Sequence, residues 1–280
     1  IQRVANTYLQ PTNRTLYALL PEGGTPAMNG AHLQHETGPI QKVELSNGLT
    51  LLLKEDHRLP FVQLRGMFQG GVLAEKMGNS GITQLMAKLL VKGTAKRTGQ
   101  QIAEQIENVG GGIDAYGGNN SFGISAEVMS EDAALGVELL ADVILNPSFP
   151  AEALSRQREV QLAGIRAQDD KLLQKTFSLM RENLFGAHGY GLNSLGTQES
   201  VEALAADDLR VFHARLAVPN NAVIAVFGDM DSAQVRADLE TAFGLWKRGG
   251  DYQVPKLLAG TQGKRRVADQ KDKEQAVACL

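Results

Sequence analysis

Apolar and polar positions in this chain switch between a period of two and a period near 3.6, and the switches mark out its elements. Across residues 61–70, Val62, Leu64, Gly66 and Phe68 alternate with Gln63, Arg65, Met67 and Gln69, as in a strand with one buried face. Residues 121–128 repeat the pattern with Phe122, Ile124, Ala126 and Val128. Segments 41–46 and 49–54 flank Asn47-Gly48, a pair suited to the positive-φ positions of a tight hairpin. Helical periodicity governs 78–92, with Gly93 as an unhindered residue just past its end. It returns over 100–109, where Ile102, Ile106 and Val109 share a face, and over 131–145, capped by Ser130 and halted before Pro147. Further helices are expected over 151–168, 172–185 and 231–246, the last following an apolar strand at 222–227. Residues 186–196 read as a glycine-rich loop. The triple glycine 110–112 lies between a helix and a strand at 113–116, so it reads as a turn and not as a phosphate cradle.

Hairpin strands, then helices, then strands again predict an α+β fold, an antiparallel sheet with helices packed on one face. No G-x-G-x-x-G follows a strand, which disfavours a doubly wound nucleotide-binding fold. One rhythm occurs twice. A helical stretch, a Pro/Asn break and an apolar strand run through 1–20 and again through 209–227. Residues 1–21 therefore read as the end of a preceding, similar domain. Residues 22–39, rich in Gly and Pro, read as a linker. The main α+β domain is expected over 40–248, a second linker over 249–263, and the first strands of a further, truncated domain over 264–280.

Composition narrows the chemistry. A net charge of -3 gives no general pull toward nucleic acid, and the short basic run 264–266 is read as a charged strand entry. Cys279 is the single cysteine, so neither an intrachain disulfide nor a cysteine-rich metal site is available. No apolar run approaches the roughly 18–20 residues that span a bilayer. Cytoplasmic and periplasmic settings both remain compatible. The chain opens on IQRVANTYL without Met, the look of an excised segment. His32, His35 and Glu36 fall in the first linker, where two imidazoles are not held on one face, and read as solvated.

An ordered series of motifs gives the chain a family likeness. It contains LSNGLTLLL, then FQGGVLAEKMGNSGI, LLVKGTAKRT, NVGGGIDAYGGNNSFGISAEV, LADVILNPSFP, REVQLAGIRAQDD, HGYGLNSLGTQESVEAL and VPNNAVIAVFGDMD. Together these resemble the pitrilysin/insulinase family of zinc peptidases over 40–248. That family carries an inverted H-x-x-E-H motif, in which two histidines bind zinc and the glutamate activates water. With Gly81 and Lys92-Gly93-Thr94 as anchors, the two histidine positions fall on Gln84 and Lys88 and the glutamate on Ala87. The third ligand, a glutamate seven positions after the start of an E-R pair, falls on Gly164 if Gln157-Arg158 is that pair. Gln binds zinc poorly, an ammonium repels it, and a methyl group takes no proton.

The resemblance thus implies the inactive half of a two-half zinc endopeptidase, forming one wall of a chamber for peptide substrates. Zinc is expected in a preceding catalytic half, which would be its partner, and no cofactor or metal is expected in this segment. The alternative is a non-catalytic scaffold subunit of a larger assembly, like the core proteins of the respiratory cytochrome bc complex. His188 and Tyr190, in the glycine-rich loop, are read as loop packing. His57 and His213 are read as structural or solvated. Glu75 is read as pinning the loop before the 78–92 helix by hydrogen bonding.

Overall fold

The computed structural model describes residues 38–256, 267–270 and 275–279. The chain divides into the units Ile1–His35 and Glu36–Leu280, and only the second is described below. The expectations for residues 1–37 and 257–266, including His32, His35, Glu36 and the basic run, lie outside the described residues.

Six strands form one sheet: β1 (Gln41–Glu44), β2 (Thr50–Glu55), β3 (Phe61–Gln69), β4 (Gly112–Gly117), β5 (Ser121–Met129) and β6 (Ala222–Gly228). Their order across the sheet is β1-β2-β6-β3-β5-β4. The alternation read in the sequence holds. Val62, Leu64 and Phe68 of β3 and Phe122, Ile124, Ala126 and Val128 of β5 all face the core. Every pairing is antiparallel except β2 with β6, so the sheet is mixed. The exception is geometrically forced. β2 and β3 run in opposite directions, and β6 inserts between them. A strand antiparallel to β3 must then lie parallel to β2. The nearly continuous apolar run of β6 suits that central position, with Ala222, Ile224 and Val226 buried on one face while Phe227 on the other stays partly exposed.

Eight α-helices occur among the described residues: α1 (Ile82–Leu90), α2 (Gly99–Glu107), α3 (Ala133–Leu145), α4 (Ala151–Asp170), α5 (Leu172–Phe185), α6 (Gln198–Ala203), α7 (Ala206–Leu216) and α8 (Ser232–Phe243). α3 lies against β3 and β5, and its approach depends on Gly66. A β-carbon there would stand 2.8 Å from Ile144 Cδ1. Leu85, Met86 and Leu89 of α1 join Leu139, Leu140 and Ile144 of α3 in one core with the sheet.

Several local readings change. The expected 78–92 helix breaks into a short 3-10 turn, Met77–Asn79, and α1, because Gly81 takes φ +87 between them. Ser130 does not cap α3. Its hydroxyl donates to Asp229 Oδ2 at 2.8 Å, and a 3-10 turn over Ser130–Asp132 precedes the helix. In the β1–β2 hairpin only Gly48 has positive φ, at +89. Asn47 instead donates to the carbonyls of Phe243 and Trp246, at 2.9 and 3.1 Å, tying the hairpin to the end of α8. α6 went unread, because six residues are too few for a helical period.

Candidate functional site

The start of α1 is held by polar groups that are themselves buried. Gly81 has φ +87, and a β-carbon there would lie 2.4 Å from Leu195 O and 2.8 Å from Gln161 Nε2. That closeness serves a clamp. Gln161, on α4, donates to Gly81 O at 3.0 Å and to Leu195 O at 2.8 Å. Ser200 donates to Ser80 O at 2.8 Å. From the segment before the helix, Glu75 accepts from Gly81 N at 2.8 Å and Thr83 N at 3.0 Å, satisfying two donors that a helix start leaves open. Glu75 thus pins this segment, as its place in the sequence suggested. Burial raises its pKa to about 7, only partly offset by those hydrogen bonds. Gln161 is assigned no role from the sequence. The available signal was its place on the buried stripe of α4, with Leu154 and Ile165.

The four positions of interest lie on this frame. Gln84, partly buried, is turned to β4, where a β-carbon on Gly117 would meet its Oε1 at 3.0 Å. Ala87 is wholly enclosed. Lys88 Nζ stands 3.4 Å from Asp114 Oδ1, also on β4. Gly164 lies one turn beyond Gln161 on α4, which packs against α1, and a β-carbon there would meet Leu195 Cδ1 at 3.5 Å. α1 and α4 are therefore neighbours, while their side chains offer an amide, a methyl, an ammonium paired with a carboxylate, and no side chain at all. This donor set does not fit zinc, which takes imidazole, thiolate or carboxylate. Among the described residues, no three His, Cys, Asp or Glu side chains are grouped to hold a metal ion.

Other chemistry-bearing residues pair with neighbours or lie exposed. His57 Nδ1 lies 2.6 Å from Asp229 Oδ1, and Ser130 donates to the other oxygen of the same carboxylate. The three residue types of a hydrolase triad meet here in the wrong order. Asp229 sits between Ser130 and His57, so the imidazole cannot take the serine proton. The hydrogen bond to Asp229 raises the pKa of His57. His188 is exposed, and Tyr190 packs edge-on against Phe185 with ring centroids 5.5 Å apart. Asp142 of α3 is buried and accepts from Thr94 and Arg97, each at 2.8 Å. Burial pushes its pKa up, but the hydrogen bonds from Thr94, Arg97 and Asn146 outweigh that and hold it below the ordinary value.

Comparison with known proteins adds context to this geometry. The family model described as insulinase (peptidase family M16) matches residues 50–198, and that described as the peptidase M16 inactive domain matches residues 203–280. The beta subunit of the mitochondrial-processing peptidase of Blastocladiella emersonii is 27% identical over 231 residues, 82% of this chain and 50% of that protein. An uncharacterized zinc protease of Mycobacterium leprae is 33% identical over 176 residues, 63% of this chain and 40% of its own length. The chain thus spans about half the length of the curated relatives it matches. Among solved structures, a peptidase M16 inactive domain from Pseudomonas fluorescens superposes with a TM-score of 0.73 at 24% identity. It covers 79% of this chain and 54% of that one. A protease from Helicobacter pylori gives a TM-score of 0.72 at 19% identity, with the same coverage. At these identities the likeness is one of fold. No described helix is long and apolar enough to cross a membrane.

Proposed function

The chain belongs to the insulinase family, peptidase family M16, and from that premise we propose that it is the non-catalytic half of a zinc endopeptidase. In this reading residues 1–21 close a preceding domain, 22–39 link the two halves, 40–248 form a domain without catalytic chemistry, 249–263 form a second linker, and 264–280 open a further domain. Zinc and the water-activating glutamate belong to the other half. This half supplies one wall of the chamber that encloses an unfolded peptide. A peptide held there would gain affinity by main-chain pairing at a sheet edge of the active half. The wall opposite fixes its room.

One observation carries the proposal. The helix start is built and clamped by Glu75, Gln161 and Ser200, while the positions that face α4 and β4 hold Gln84, Ala87 and Lys88, with Gly164 across from them. A scaffold for a metal helix without ligands suits a partner half and not an independent enzyme.

The test has two arms. Elemental analysis of the purified chain should find no stoichiometric zinc, and the chain alone should leave unstructured peptides uncut. Mixed with a separately produced catalytic half, it should restore zinc-dependent cleavage. One tightly held zinc per chain, or cleavage by the chain alone that Lys88→Ala abolishes, would overturn the reading.

A further inference from the structure

A cavity of about 470 Å³ opens between the segment around Glu75, the C-terminal end of α7 and residues 250–255. Leu73, Ala214 and Pro255 give it apolar walls, and Lys76, Arg215 and Tyr252 bring polar groups to it. The guanidinium of Arg215 is fixed from two sides. It donates to Ala74 O at 2.9 Å, and its central carbon lies 5.1 Å over the ring of Phe212. No other hydrogen bond of this group occurs among the described residues. The hydroxyl of Tyr252 is buried and has no hydrogen-bond partner among the described residues. Buried hydroxyls are nearly always paired, so an orphan lining a cavity points to a group that completes it. Burial raises the Tyr252 pKa, while the positive charge of Arg215 opposes that rise.

The acids that also line the cavity are engaged elsewhere. Asp251 accepts from Asn220 at 2.9 Å and from Arg248 at 3.2 Å. Glu75 is turned to the start of α1, with its two oxygens on Gly81 N and Thr83 N. The cavity is therefore electropositive, with one fork-shaped cation and one unpaired donor. Asp251 still sets a limit on ligand charge: a singly charged carboxylate is tolerated beside it, whereas a doubly charged phosphate is repelled more strongly.

We propose that this cavity binds a carboxylate joined to a short apolar body, the carboxylate accepting from Arg215 and Tyr252 with Lys76 beside it and the apolar part against Leu73 and Ala214. The volume is at the lower end for ligand sites and suits one or two residues at a peptide's C-terminus, or a small free acid of that size. This site is separate from the α1 positions and does not depend on the function proposed for them.

Calorimetric titration of the 280-residue chain tests it with four probes: N-acetyl-alanyl-leucine, its C-terminal amide, butyrate and inorganic phosphate. Backbone amide shifts of Gly250 to Gln253 locate the binding. The dipeptide acid should bind with a Kd of about 1 mM or tighter, and the amide and phosphate roughly tenfold more weakly or worse. A dipeptide acid that binds more tightly than butyrate identifies peptide termini as the source of the ligand; the reverse order identifies free acids. Arg215→Gln should abolish binding. Tyr252→Phe should weaken binding of the acid roughly tenfold while its unfolding midpoint stays equal or rises, because the lost hydroxyl has no partner among the described residues. Equal binding of acid and amide, no binding of either acid, a preference for phosphate, or full affinity in Tyr252→Phe would each overturn the proposal.

Discussion

Replacing Glu75 by Gln is expected to turn a fold with little pH dependence into an acid-labile one. Two buried groups oppose each other in this protein. Burial raises Glu75 from the ordinary 4.5 to about 7, and burial lowers His213 from the ordinary 6.5 to about 4. The signs follow from which state holds more protons. Between 4.5 and 7 the folded chain holds a proton on Glu75 that the unfolded chain has lost. That contribution to stability is complete below 4.5 and is lost as pH rises through 7. Between 4 and 6.5 the unfolded chain protonates His213 while the folded chain resists. That contribution is complete above 6.5 and is lost as pH falls through 4.

Each pKa moves by about 2.5 units, so each effect amounts to about 3 kcal/mol across its window. The rim of His213 is partly accessible, which makes its effect the smaller of the two. From 4.5 to 6.5 the slopes oppose, and the wild-type chain should vary little. In Glu75→Gln only His213 remains, so stability should fall by about 2 kcal/mol on acidification from 6.5 to 4.5. In His213→Gln only Glu75 remains, and stability should rise by a similar amount over the same range. Below pH 7 Glu75→Gln should also be less stable than wild type, because a Gln side chain can accept from only one of Gly81 N and Thr83 N. Urea unfolding at a series of pH values measures this through Trp246, the single tryptophan, whose ring lies 5.7 Å from that of Phe243. Parallel pH profiles for wild type and Glu75→Gln would refute the reasoning.

Three further perturbations follow from the same geometry. Gly81→Ala should destabilise the chain by about 3 kcal/mol, since φ is +87 and the new methyl would meet Leu195 O at 2.4 Å; a urea midpoint within error of wild type would contradict this. Arg97→Gln should cost about 3 kcal/mol by leaving the buried Asp142 with only Thr94 and Asn146, and the loss should shrink in Arg97→Gln/Asp142→Asn, read as a double-mutant cycle. Gln84→His, Lys88→His and Gly164→Glu together should give a chain that takes up one zinc by elemental analysis and still cuts no peptide, because Ala87 supplies no base. A folded triple variant without zinc would show that α1 and α4 do not present these positions to one point.

How far the sequence could be read depended on the range of the interaction. The faces of β3 and β5 were legible because alternation is local and strict, and the β1–β2 hairpin because Asn47-Gly48 lies between two apolar runs. The parallel pairing of β2 and β6 was not. Nothing within Ala222–Gly228 records that it will enter between two strands more than 150 residues earlier in the chain. Ser130 was misjudged for a related reason. Its place before a helix fits a cap, but its hydroxyl is taken by Asp229, 99 residues away. At the candidate site, the residue types at 84, 87, 88 and 164 were plain in the sequence. The groups that hold the frame were only half visible. Glu75 has a loop position that hints at its role, whereas Gln161 looks like any polar residue on a long helix until its two carbonyl partners are seen.

That contrast explains how such a frame can stand without its chemistry. Gln84 and Lys88 are only partly buried, and Lys88 meets Asp114 with nearly half its side chain in solvent, so changes at these positions carry little cost in folding. Glu75, Gln161 and Ser200 are different. Each is buried and satisfies backbone groups that would otherwise be orphaned, so losing any one of them destabilises the chain whether or not a metal is bound. Glu75 is the extreme case, a carboxyl group whose burial, partly offset by its hydrogen bonds, raises its pKa to about 7 while it accepts from two backbone N–H groups. Ligands on α1 answer to catalysis, and the clamp around its first turn answers to stability. A chain without the first set can therefore keep this helix in place through the second alone.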